Sequence, residues 1–163
     1  MRPALRLLVF AILLTTAVPI AAIERGPLPV FDLTGIDGQR VSTSQVTMEG
    51  TWLIVYVQPG CDPCDAILKA AAQYDNPSVV DRLVLVVRSQ TAEEVQAIAD
   101  RHPRISRTAW YMDKDGEMFT RLRLAGAPVV IGLRGKIIEW SLAGVLADAR
   151  AVGSVLGSWV AKP

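Results

Sequence analysis

Gln58-Pro59-Gly60-Cys61-Asp62-Pro63-Cys64 holds both cysteines of the chain. The uncharged apolar run Thr51 to Val57 precedes it and reads as a strand buried on both faces. Ala66 to Tyr74 follows, with apolar residues at helical spacing. A strand feeding a short loop and then a helix sets Cys61 at the helix N-terminus, where unpaired backbone N–H groups and the macrodipole favour negative charge. The thiolate is the reactive form of cysteine, and such surroundings lower its pKa from about 8.5 into the range of roughly 3.5 to 7.5. Cys64 lies one turn on, along the same side. One sulfur can then attack a disulfide while the other resolves the mixed disulfide.

The remaining totals narrow the reading. A length of 163 residues allows one domain and little more. The 51% hydrophobic content is raised by the N-terminus, where Met1 to Arg6 is basic, Leu7 to Leu14 continuously apolar, and Thr15 to Ala22 small and mixed. That is the layout of a secretory signal peptide over residues 1–22, cleaved near Ala22. The competing reading is an uncleaved anchor, for which Leu7 to Ile23, broken by Thr15, Thr16 and Pro19, is short. Removing Met1 to Ala22 takes two arginines and no acid from 17 basic and 16 acidic residues, leaving 15 against 16. The domain over residues 23–163 is then nearly neutral, and nothing in it suggests nucleic acid, which needs a clustered basic surface. Export places the cysteines in an oxidising compartment. A staple around so short a loop stabilises little, so redox chemistry is the better use of the spacing.

Along the chain, Ile23 to Pro29 is a lead-in, and Val30 to Leu33 with Arg40 to Ser42 predicts an edge hairpin around the turn Thr34 to Gly38. Pro63 is tolerated in the first turn of the helix that follows the cysteines, because its missing N–H is not needed there. Leu83 to Val87 is a second buried strand. Thr91-Ala92-Glu93-Glu94 predicts a capping box, with Thr91 bonding forward and Glu94 back, ahead of the stripe Val95, Ile98 and Ala99. Thr108 to Met112 predicts a strand, Asp113 to Gly116 a turn and Glu117 to Leu124 a short helix. The turn fails as a calcium loop, since Tyr111 stands where the first carboxylate belongs. Val129 to Leu133 and Ile137 to Trp140 predict a hairpin through Arg134-Gly135. Ala147 to Val160 predicts a last helix burying Ala151, Val152, Val155, Leu156 and Trp159. The order implies an α/β fold: one mixed central sheet with helices on both faces and an N-terminal hairpin extension.

A CxxC closing a strand and opening a helix within this pattern resembles the thioredoxin superfamily. More narrowly, the chain resembles the exported TlpA-type thiol-disulfide oxidoreductases of the redoxin group, over roughly Pro29 to Val160. The carrying residues are Pro29, Phe31, Leu33, Gly38, Val41-Ser42, Gly50, Cys61-Asp62-Pro63-Cys64, the Asp113 to Gly116 turn, and Gly126-Ala127-Pro128. The resemblance implies a thioredoxin-like domain in which Cys61 attacks, being more exposed, and the deeper Cys64 resolves. It implies a cis Pro128 beside the CxxC, with Ala127 pairing to the extended substrate and Gly60 bordering the same path. Three positions depart from the family: Gly60 replaces an aromatic, Val55 a buried acid, and Ile67 a glutamate near the pair. No carboxylate in the sequence is then an obvious proton acceptor for Cys64.

The implied activity is thiol-disulfide exchange with partner proteins, in the reducing direction because Asp62 sets a like charge beside the thiolate. The redox-active disulfide replaces any cofactor. Zinc would need about four ligands, and the chain has two cysteines and one histidine, so no metal is expected. Expected partners are protein thiols or disulfides and a membrane electron donor, with the leader as a tether where it is retained. The expected state is a monomer, exported and periplasmic if bacterial, or anchored to the inner membrane. The alternatives are a non-catalytic thioredoxin-like binding module and a peroxiredoxin-like peroxidase. Gln58 weighs against the peroxidase, because it stands three residues before Cys61 where peroxiredoxins carry threonine or serine. His102, between Arg101 and Pro103, reads as an exposed residue past a helix end. Arg101, Arg104 and Arg107, like Arg121 and Arg123, read most simply as solvated faces, with a docking patch as the minor alternative, and the four tryptophans as packing.

Overall fold

The computed structural model describes residues 23–46, 49–73, 77–105, 108–144 and 149–161. The expected leader, Met1 to Ala22, lies outside the described residues, as do Tyr74, Arg107 and Ala147. Eight strands form one sheet: β1 Gly26–Pro27, β2 Asp32–Gly35, β3 Arg40–Ser42, β4 Thr51–Val57, β5 Leu83–Val87, β6 Ala109–Met112, β7 Val129–Arg134 and β8 Ile137–Ala143. Their order is β1-β8-β7-β4-β5-β6-β2-β3. β4 pairs in parallel with β5, and β5 with β6, whereas every other pairing is antiparallel. The helices are α1 Thr43–Val46, α2 Asp62–Gln73, α3 Pro77–Val80, α4 Ala92–Arg101, α5 Glu117–Arg121 and α6 Ala149–Val160, with a 3-10 turn at Pro103–Ile105.

All seven residues of β4 are buried because both faces of the sheet are covered. Alternation of side chains along a strand divides them. Leu53, Val55 and Val57 join α2, α4 and α6 in one core. Trp52, Ile54 and Tyr56 join Phe31, Met118, Leu122 and Leu124 in the other. Val55 and Ile67, which replace the family's acids, are both packed in the first core. The mixed sheet, its central strand and the edge hairpin of β2 and β3 agree with the sequence expectation.

Three details differ. The lead-in contains β1, which pairs with β8 and extends the sheet on the side away from the hairpin. Thr91 caps α4 as expected, its hydroxyl accepting from the Glu94 N–H, but Glu94 does not reach back to Thr91. Its carboxylate instead accepts from the Ser89 hydroxyl, which also receives the Thr91 N–H. Along α6, Ala151 is exposed while Gly153, Gly157 and Val160 are buried beside Val152, Leu156 and Trp159. Gly157 and Gly153 carry no side chain to register in a hydrophobic pattern, so the buried face is wider than predicted. The tryptophans pack as expected: Trp140 meets Trp159 edge to face at 5.6 Å between ring centroids, with Gly132 beneath Trp140.

Asp113 shows how the second core is tied down. α5 starts after Gly116, which has no side chain to cap it. The carboxylate of Asp113 does so from three residues upstream, accepting the N–H of Met118 at 3.1 Å and of Phe119 at 3.1 Å. It also accepts the phenol of Tyr56 at 2.9 Å, and it is 1% exposed. Burial first, and the adjacent carboxylate second, push the Tyr56 phenol far above its ordinary range and keep it a donor. Asp113→Ala strands a buried hydroxyl and two N–H groups; it is expected to lower stability by about 2 to 4 kcal/mol, read as a fall in the urea midpoint.

Candidate active site

β4 ends at Val57 and the chain turns through Pro59 and Gly60, whose φ of 68° lies in the left-handed region that favours glycine. That backbone accounts for the missing aromatic: a side chain with a Cβ is strained there even though nothing lies within 4 Å of the position. Cys61 follows as the residue that caps α2. Its sulfur accepts the N–H of Cys64 at 3.2 Å, and its carbonyl accepts the N–H groups of Cys64 and Asp65 at 2.9 and 3.2 Å. A side chain accepting from the third helical N–H satisfies one of the orphan donors of the first turn, here with sulfur in place of the usual oxygen. The two cysteines are joined as a disulfide. Cys61 is half-buried and Cys64 2% exposed, the order of accessibility that the sequence predicts.

The Ala127-Pro128 bond is cis, and the Ala127 carbonyl oxygen lies 3.8 Å from the Cys61 sulfur. A disulfide sulfur carries no proton, so this is a contact here and becomes a donor–acceptor pair only in the thiol form. The fold thus brings Cys61, Cys64, Ala127 and Pro128 together at the end of α2, and Gly60 precedes them on the exposed side.

Asp65, which the sequence reading passed over, lies beside the pair and is held there by Lys69 and His102. A cavity of about 250 Å³ beside the disulfide is walled by Cys61, Cys64, Asp62, Asp65, Ile98 and Arg101 among others. Asp65 is therefore a carboxylate on the same cavity as both sulfurs. Its Oδ2 meets Lys69 Nζ at 2.7 Å and its Oδ1 meets His102 Nε2 at 2.9 Å. His102 is 3% exposed, against the expectation of an exposed residue. The 3-10 turn folds it back: its N–H reaches Ala99 and its carbonyl accepts from Ile105, a fully buried residue. Burial of an imidazole requires a hydrogen-bond partner, which Asp65 supplies across 37 positions of sequence. The spacing of Asp65 and Lys69, four apart on one helix, was the only local sign of this cluster.

Lys69, first through its hydrogen bond and then through its charge, holds the Asp65 carboxyl below the usual carboxylate range, with His102 adding to it and desolvation opposing. A depressed folded-state pKa stabilises the fold above the unfolded value of about 3.9 and loses that contribution as pH falls through the folded value. Asp65→Asn is therefore expected to flatten the acid limb of the stability profile below about pH 4, measured as urea midpoints across pH. An acid limb unchanged by the substitution would contradict the assignment.

Residues 25–138, well over half of the chain, match the AhpC/TSA family. No curated protein matches by sequence. Among solved structures the chain is similar to a secreted Mycobacterium tuberculosis disulfide oxidoreductase homologous to E. coli DsbE (TM-score 0.66, 12% identity, 78% of this chain and 95% of that one). It is likewise similar to a thio-disulfide isomerase from Thermus thermophilus (TM-score 0.63, 23% identity, 83% and 96%) and to StoA from Bacillus subtilis (TM-score 0.58, 20% identity, 77% and 95%). The fold is thus thioredoxin-like, and on the extent of the family match the chain belongs to the AhpC/TSA family.

Proposed function

We propose that the protein is an exported thiol-disulfide oxidoreductase that reduces disulfides in partner proteins. The observation carrying this reading is a disulfide at the N-terminus of α2 whose outer sulfur lies 3.8 Å from the carbonyl preceding a cis proline. In the reduced form, the Cys61 thiolate attacks a substrate disulfide, forming a mixed disulfide and releasing one substrate thiolate. Cys64, once deprotonated, attacks the Cys61 sulfur, which closes the Cys61–Cys64 bond and releases the second substrate thiolate. Two electrons pass to the substrate, and the two protons of the cysteine thiols end on its sulfurs. The Cys64 N–H aimed at the Cys61 sulfur favours the outer thiolate as nucleophile. Gly60, Ala127 and Pro128 border the path of the extended substrate. A dithiol on a membrane protein is the donor that restores the reduced form.

The reducing direction rests on charge. Asp65 is paired by Lys69 and His102, and Arg101 lines the same cavity from α4, so the direction is set by Asp62, which adjoins Cys61 in the first turn of α2 and has no ion pair among the described residues. Negative charge there disfavours the thiolate and so stabilises the disulfide relative to the dithiol. Export rests on the composition of residues 1–22 and is supported by the secreted relative from M. tuberculosis.

A redox titration is expected to place the potential nearer the roughly −270 mV of reducing dithiols than the roughly −120 mV of strong oxidants; the opposite result overturns the direction. Cys61→Ser is expected to abolish insulin reduction. Cys64→Ser is expected to accumulate a mixed disulfide with partner proteins, visible as a reductant-sensitive band on gels, and its absence would contradict the two-step exchange.

A further inference from the structure

Arg101 is the last residue of α4, exposed, and it lines two adjoining hollows. One is the cavity that holds Cys61 and Cys64. The other is a cleft of about 240 Å³ walled by Lys69, Ala72, Arg101, His102, Pro103 and Arg104, in which three cations meet no carboxylate among the lining residues. Asp65, on the neighbouring cavity, is already taken by Lys69 and His102, and Asp100, the residue before Arg101, accepts from the Gln96 amide. No ion pair engages Arg101 or Arg104 among the described residues. Two guanidinium groups are thus left free for a ligand, and they run from the wall of the dithiol cavity outward along the 3-10 turn.

We infer that this cleft is a docking site for an acidic segment of the protein whose disulfide visits Cys61. The inference rests on the reading of the site given above and names what that site selects. Guanidinium groups pair bidentately with carboxylates, so Arg101 and Arg104 suit aspartate or glutamate side chains of an extended chain. Asp62 lies on the same cavity as Cys61 and repels acid placed directly at the sulfur. The preferred partner therefore carries its acidic residues displaced from its cysteine, towards α4. An anionic membrane is a poorer occupant, because Arg101 shares a wall with the cysteines and a bilayer seated there would block the arriving substrate. Opposite charge on partner and cleft also speeds encounter, an effect that salt weakens.

The test separates docking from chemistry. Fluorescent cysteine-free peptides, acidic, neutral or basic, are titrated against the full chain in its disulfide form at low salt, followed by anisotropy. Hydroxyethyl disulfide, which carries no charge, separately reports whether the reduced protein exchanges disulfides at all. Failure in that assay counts against the redox reading, and failure in the peptide titration counts against the docking site. Acidic peptides are expected to bind about tenfold more tightly than basic ones, taking each exposed ion pair as worth a few-fold. The double variant Arg101→Glu/Arg104→Glu is expected to invert the order. The same charge change at Arg40 and Arg121, on β3 and α5, is expected to leave it intact. Equal binding of all peptides overturns the inference, and so does an acidic preference that survives the Arg101/Arg104 reversal. Loss in that variant of binding to phosphatidylglycerol vesicles, with no acidic-peptide binding to lose, assigns the cleft to a lipid surface and equally overturns it.

Discussion

The active end of the molecule depends on one hydrogen bond, from the Cys64 N–H to the Cys61 sulfur. It ties the outer sulfur to the helix that presents it, and with the disulfide to Cys64 it sets the position of that sulfur by the first turn of α2. That turn is in turn aimed by β4, buried on both faces and flanked by β5 and β7. Everything that holds β4 therefore also holds the site. The two cores on either side of the strand do this, one through α2, α4 and α6 and the other through α5 and the N-terminal segments.

Much of this could be read from local pattern. A seven-residue uncharged run, rich in β-branched and aromatic residues and ending before Pro59-Gly60, favours a covered strand, and cysteines three apart after it leave little choice of geometry. The cis bond before Pro128 and its closeness to Cys61 came from resemblance, since no pattern in 163 residues states which distant turn folds against which helix. The environment of the sulfurs was the least legible part. His102 looked exposed because its neighbours are an arginine and a proline, and the turn that buries it has no strong sequence signature. Its partner Asp65 belongs to another helix, and a contact across that separation is invisible to periodicity. Glu94 shows the same limit on a smaller scale: the capping pattern was right about Thr91, but Ser89 offered the glutamate a competing donor.

Charge around the pair is arranged asymmetrically. Asp62 and Asp65 line the cavity from α2 and Arg101 lines it from α4. Lys69 and His102 both spend their polar atoms on Asp65, so the acid is held in one orientation by two helices' worth of contacts. The clasp also fastens the C-terminal end of α4 to the body of α2. Residues that look remote in sequence thereby share responsibility for the shape of one cavity.

The left-handed glycine before Cys61 bears on which molecules the proposed exchange would admit. With no ring standing in front of the sulfur, there is no shutter to swing aside and no flat surface on which a visiting loop must stack. On the proposed function, selection would pass to contacts further out, so clients would differ widely next to their cysteines while resembling one another at a distance.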